Sequence, residues 1–214
     1  MADPFVKNTA TTAEEAAKIV PRAEFRVFGP GVIDLVKAKM WNGKTVLFQA
    51  RKMPAETYFL SARTDDANVK VRDGLLDIKT KVGETPEGYE IFQPRGKFQF
   101  PVKKTDLATI LANLKIEMSL DRDTYTIDEF IRMARRHPDM AAVSVEKMRY
   151  GFSIDGVICE YAQVWFNGAL VESACAESEN YEGMKQVVEG LGLAGMPNTN
   201  YLKAAKRVVG MVER

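Results

Sequence analysis

The chain has 214 residues, 46% of them hydrophobic and 28% charged, with a formal net charge of +1. That is the composition of an ordinary globular domain, long enough to bury a core without metal or disulfide staples. The near-neutral balance excludes a chain that is basic throughout, as a general nucleic-acid or membrane-surface binder would be, and no run approaches the ~18 apolar residues of a membrane span.

Residues 1–12 are polar and read as a tail rather than a secretory leader, because no apolar stretch follows Met1. Thr12-Ala13-Glu14-Glu15 has the form of a capping box and predicts a short helix to about Ile19, stopped at Pro21. Strands are predicted next at Arg22–Phe28, Ile33–Trp41, Lys44–Arg51, Thr57–Arg63, Asn68–Arg72, Leu75–Val82 and Tyr89–Phe100. Helices follow at Thr105–Leu114 and Thr126–Arg136, and Tyr181–Gly190 and Thr199–Met211 close the chain. Between the two helical pairs lie strands around Lys147–Tyr150, Cys159 and Cys175. Four dipeptides, Asn42-Gly43, Asp73-Gly74, Asp155-Gly156 and Asn167-Gly168, separate alternating runs as two-residue hairpin turns do, since both central residues there need positive φ. No linker divides the strands. The expectation is an α+β fold, mainly an antiparallel β-barrel with flanking helices, with residues 1–20 as tail and short helix and 21–214 as one domain.

Turn arithmetic then assigns faces. A two-residue turn at Asp73-Gly74 pairs Arg72 with Leu75, Lys70 with Asp77 and Asn68 with Lys79. Lys70, Arg72, Asp77, Lys79 and Lys81 fall on one face and Val69, Val71, Leu76 and Ile78 on the other. Arg22, Glu24 and Arg26 alternate with Ala23, Phe25 and Val27; Arg95 and Lys97 share a face; so do Lys147 and Arg149. The turn at Asn167-Gly168 sets Cys159 opposite Ala176 and Cys175 opposite Glu160, which puts the two thiols on opposite faces, unable to bond. Free buried thiols fit a reducing cytoplasm.

Any one such strand is compatible with a solvated outer face. Taken together, ten Lys or Arg share the charged parity with four acids, Glu24, Asp77, Glu160 and Glu177. Like charges on one sheet face repel, and a bound polyanion would relieve that repulsion. The acids among them could be ion-pair partners or ligands for a divalent cation. A nucleic-acid duplex is disfavoured as partner, because it would need the bases outward with aromatics or a groove-sized helix among them. A barrel holding a small phosphate-rich anion suits the pattern better; a partner-covered basic surface is the remaining alternative. His137, the only histidine, stands at a helix end before Pro138, and Gly29-Pro30-Gly31 has no Lys-Ser/Thr after it and is no phosphate loop.

These residues bear a resemblance to the CYTH, or triphosphate tunnel metalloenzyme, superfamily over about residues 22–205. Lys70-Val71-Arg72-Asp73-Gly74 with Lys79 and Lys81 resembles the family's basic central hairpin, and Lys147-Met148-Arg149-Tyr150 its later Lys-x-Arg strand. Gly168 to Glu177 stands where the family has an acidic strand, and Asn198-Thr199-Asn200-Tyr201 is similar to the Ser-Tyr that opens its final helix. The family's opening Glu-x-Glu-x-Lys appears here as Arg22, Glu24 and Arg26, with a cation at the first carboxylate position.

The resemblance implies an eight-stranded tunnel that binds a triphosphate with Mg²⁺ or Mn²⁺. It makes Arg22, Arg26, Lys70, Arg72, Lys79, Lys81, Arg95, Lys97, Lys147 and Arg149 the expected anion ligands. Glu24, Glu160 and Glu177 are the expected metal ligands, with Glu172 as the alternative if the Asn167-Gly168 turn carries a bulge, and Glu24 and Glu177 are the expected catalytic pair. The expected function is metal-dependent hydrolysis of an inorganic or organic triphosphate. The alternative is a non-catalytic binding module, favoured by Arg22, whose charge would repel a metal. A homodimer would cover the edge of an incomplete barrel.

Overall fold

A computed structural model describes residues 9–211. In chain order the elements are α1 (Ala13–Ala17), β1 (Arg22–Phe28), α2 (Val32–Met40), β2 (Val46–Ser61), β3 (Thr64–Arg72), β4 (Leu75–Glu84), β5 (Glu90–Gln99), β6 (Val102–Lys103), α3 (Lys104–Asn113), β7 (Thr124–Tyr125), α4 (Ile127–Arg136), β8 (Met140–Ile154), β9 (Val157–Phe166), β10 (Ala169–Ser178), α5 (Tyr181–Leu191) and α6 (Tyr201–Val209). Eight strands close an antiparallel barrel in the order β1-β10-β9-β8-β2-β3-β4-β5, and β6 and β7 form a separate pair.

Three of the four predicted hairpins form. Asp73 and Gly74, Asp155 and Gly156, and Asn167 and Gly168 all have positive φ. The registers follow: Lys70 faces Asp77, Asn68 faces Lys79, Arg149 faces Ala162, and Cys175 faces Glu160. Both cysteines are free and buried.

The fourth hairpin does not form, and the two strands predicted around Asn42-Gly43 are corrected. Residues 33–40 fall in α2, with Trp41 as its C-cap, rather than in a strand, because the buried side chains are Val32, Val36 and Met40, spaced i, i+4, i+8. Lys44–Arg51 and Thr57–Arg63 are not separate strands either. They merge into β2, whose pairing with β8 continues across irregularities at Leu47/Gln49 and Met53/Glu56. β3 covers β2 only from Thr57 onward, so residues 46–55 have β8 on one side and, among the described residues, no strand paired on the other. Of the predicted tail, residues 1–8 lie outside the described residues, but Thr11 exchanges backbone hydrogen bonds with Lys97 and is part of the fold. The predicted capping box at Thr12 is present, and the structure shows a second one at Thr126, at the start of α4.

Alternation sorts the apolar residues into three cores. Outside the barrel, Phe25, Cys159, Tyr161 and Ala174 pack under α2 and α5. On the opposite outer wall Phe59, Val69, Leu76 and Ile78 pack under α3 and α4. The third core is inside: Tyr58, Leu60, Val143, Val145, Val164 and Phe166 enclose Tyr201, Leu202, Ala204 and Ala205 of α6. Buried Lys206 fixes that helix to the start of β3 through the Thr64 carbonyl at 3.2 Å and Asp65 at 2.7 Å. Among the described residues no helix is long and apolar enough to cross a membrane.

Candidate functional site: a charged chamber in the barrel

The part of the interior that α6 leaves open is a chamber of about 140 Å³, room for roughly ten waters. Seven bases line it, Arg22, Arg26, Lys70, Arg72, Lys79, Lys147 and Arg149, with four acids, Glu24, Asp77, Glu160 and Glu177. All come from the inward parity of β1, β3, β4, β8, β9 and β10, which is why turn arithmetic could find them. Tyr58, Asn68, Phe92, Asn200 and Tyr201 complete the wall.

Arg26 is the centre of the acidic side. Its guanidinium is 2.5 Å from Glu24 and 3.4 Å from Glu160, donates to Ser173 Oγ and Cys175 Sγ at 3.0 Å each, and lies over the Tyr201 ring. Arg149 pairs with the other oxygen of Glu160. Near the mouth, Arg22 bridges Glu177 at 3.4 Å and Glu179 at 3.2 Å. Across the chamber a second knot forms around Glu56, which Lys147 approaches to 2.7 Å, Lys70 to 3.5 Å and Arg72 to 3.8 Å. Arg72 also donates to Asp77 at 3.1 Å. Lys79 has no ion-pair partner within 4 Å among the described residues.

Burial and charge set the protonation states. Burial alone would raise the Glu56 carboxyl, but Lys70, Lys147 and Arg72 outweigh it and hold it at about 2. Burial pushes the Lys70 ammonium down to about 7 despite Glu56 beside it. Lys147 is lowered for the same reason. Glu24 is lowered: burial opposes this, and Arg26 with Lys79 and Lys147 prevails. Three buried polar atoms of the chamber wall, Tyr201 Oη, Asn68 Oδ1 and Arg149 Nε, have no hydrogen-bond partner among the described residues.

The structure brings seven of the ten expected anion ligands into this wall and leaves three out. Arg95 is displaced by a register shift: Ile78 faces Gly96 but Lys79 faces Pro94, so Arg95 is the extra residue and bonds Thr80 Oγ1 at 2.7 Å instead. The sequence expectation that it shares a face with Lys97 is corrected accordingly. Lys97 faces Asp77 beyond the lining. Lys81 lies at the far end of β4, held by Glu84 and Glu90. Of the expected metal ligands, Glu24, Glu160 and Glu177 face the chamber, whereas Glu172 accepts from the Ile33 N–H at the start of α2 and is outside it. Glu56 escaped the sequence reading because Pro54 and the irregularity at Met53/Glu56 break the alternation; counting inward parity back from Tyr58 would have found it.

The donor set does not fit a divalent cation. Each chamber carboxylate is already held by a guanidinium, and Arg26 stands between Glu24 and Glu160, where a metal would have to bridge them. Among the described residues no group of three His, Cys, Asp or Glu side chains is arranged to hold a metal ion.

Fold and site together define a closed antiparallel barrel with a basic internal chamber. No protein-family model matches the chain, and no curated protein does. Among solved structures it is similar to PH1012 from Pyrococcus horikoshii OT3, with 15% identity and a TM-score of 0.47 over 86% of this chain and 98% of that one. It is also similar to the Pyrococcus furiosus protein Pfu-838710-001, with 16% identity and a TM-score of 0.46 over 85% and 98%. A third is HpAC1 from Hippeastrum, a candidate adenylyl cyclase described as having a dominant triphosphatase activity, with 14% identity and a TM-score of 0.46 over 91% and 97%.

Proposed function

We propose that this barrel is a receptor for a short phosphate-rich anion, of the size of a triphosphate, held by cations without a bridging metal. One observation carries the reading: a chamber inside the barrel lined by seven bases and four acids, with every acid already paired internally. The surplus positive charge is concentrated where low dielectric and shape make an anion bind best. Arg26, Arg72 and Arg149 offer planar donors for bidentate phosphate contact, and Lys70, Lys79 and Lys147 offer point charges.

The test is a thermal-shift titration with tripolyphosphate, with and without Mn²⁺. At 100 times Kd the anion should add about 2.7 kcal/mol of stability, and the shift should be the same with metal as without it. No shift with any polyphosphate or nucleotide would sink the reading.

A hydrolytic reading has one specific observation in its favour. Glu24 and Glu177 are register partners on β1 and β10, side by side on the chamber wall. An anion that draws Arg22 and Arg26 to itself would leave these carboxylates facing it. Phosphate release that requires Mn²⁺ and disappears in Glu24→Gln would establish this reading over the binding one.

A further inference from the structure

We infer that the chamber is a blind cup that takes its anion end-on: it receives the terminal phosphate of a chain and refuses an interior segment of a longer one. This rests on the anion-binding reading above and specifies which phosphates that site can accept.

The barrel interior has one mouth. Along β1 the inward side chains go from 40% exposed at Arg22 through 27% at Glu24 to 6% at Arg26, and the next, Phe28, packs on the α6 core. β10 repeats the sequence, from part-exposed Glu177 through buried Cys175 and Ser173 to Val171 on the same core. β8 does so in reverse order, from Val143 and Val145 in the core to Lys147 and then Arg149. Three strands of different sequence thus agree on where the opening lies and where it ends.

Helix α6 makes the floor. Leu202, Ala204 and Ala205 fill the far half of the interior, and Lys206 anchors them from behind. The remaining seam, between the start of α6 and β4–β5, is closed by Glu90. Its buried carboxylate accepts from Asn200 Nδ2 and Lys203 Nζ at 2.9 Å each, with Lys81 at 3.5 Å. This explains where Lys81 went: it closes the back of the barrel instead of lining the chamber.

At the floor stands Tyr201. Its ring lies beneath Arg26 at 4.5 Å and Lys147 at 4.3 Å, and its hydroxyl is a buried donor with no hydrogen-bond partner among the described residues. A terminal phosphate lowered to this depth would meet two cations and that hydroxyl together. An interior phosphate has chain leaving on both sides and would need a second exit, which α6 and Glu90 block. The ligand class is therefore a linear phosphate terminus, from a short inorganic polyphosphate or from an organic triphosphate whose organic part stays at the mouth.

The test uses calorimetric titration of the full chain with three probes: tripolyphosphate, a long linear polyphosphate with free ends, and the same polymer with both ends esterified. Tripolyphosphate and the free-ended polymer should bind alike per chain end, and the capped polymer at least about tenfold more weakly. Tyr201→Phe removes only the hydroxyl and should weaken tripolyphosphate about tenfold, as loss of one hydrogen bond to a charged group does. Equal binding of the capped polymer, or an unchanged affinity in Tyr201→Phe, would overturn end-on binding and leave the receptor reading standing. Failure of the wild-type chain to bind tripolyphosphate would instead remove the receptor reading, and this inference with it.

Discussion

The two halves of the barrel interior are built on the same strands with the same alternation, yet one is an ion-pair lattice and the other a hydrocarbon core. β1 presents Arg22, Glu24 and Arg26 and then Phe28; β8 presents Val143 and Val145 and then Lys147 and Arg149. The switch comes within two residues on each strand. What differs is the neighbour: where α6 reaches, inward residues are apolar and need no partner, and where it stops they are charged and need several. Period-2 alternation therefore locates the inward face of a strand, while its chemistry is decided by what fills the space in front of it.

The sharpest way to break that comparison is to give the charged half an apolar residue. Arg26→Leu would leave buried Glu160 and part-buried Glu24 with one neutralising partner fewer, and should cost about 3–5 kcal/mol in denaturant unfolding. A cost below 1 kcal/mol would mean the lattice holds nothing together.

Acid should act on the same half through Glu56. Glu56 titrates at about 2 in the folded chain against 4.5 ordinarily, so the unfolded chain takes up the proton first as pH falls. Its contribution is complete above pH 4.5 and is lost on the way down to pH 2, a loss on the order of 3 kcal/mol. Glu56→Gln should flatten that part of the stability profile. A profile unchanged by the substitution would show that the carboxylate is not held by its three cations.

The smallest expected effect concerns the ligand. Lys70, titrating at about 7, is largely neutral above that pH, and a bound polyanion favours its charged form, so binding takes up a proton. Tripolyphosphate affinity should fall above pH 7 by up to about tenfold per unit from this group. Lys70→Arg, which stays charged, should remove that fall while sharing whatever the anion's own ionisation contributes. Parallel profiles for the two proteins would exclude Lys70 from the site.

Much of this was legible in the sequence because hairpin turns fix register. Asp73-Gly74 alone determines that Lys70 meets Asp77, and Asn167-Gly168 that Cys175 meets Glu160. The reading failed wherever regularity did. Asn42-Gly43 has the composition of a hairpin turn but follows a helix, whose Ile33 and Leu35 imitate strand alternation while Val32, Val36 and Met40 carry the burial. A register shift took Arg95 off its expected face, and another, next to Pro54, hid Glu56. The order in which the strands close, and the helix that fills half of their interior, are long-range packing outcomes on which local turn chemistry is silent.

The position of α6 also has a consequence for exchange. Under end-on binding as proposed, a ligand seated on Tyr201 would have to leave by the path on which it came, and while it was there nothing else could reach the floor. An incoming anion cannot push the resident one forward, so replacement waits for spontaneous departure and its rate is independent of the competitor's concentration. The residence time would then be a property of the seated anion alone, and the barrel would act as a timer that a rise in free anion could not hurry.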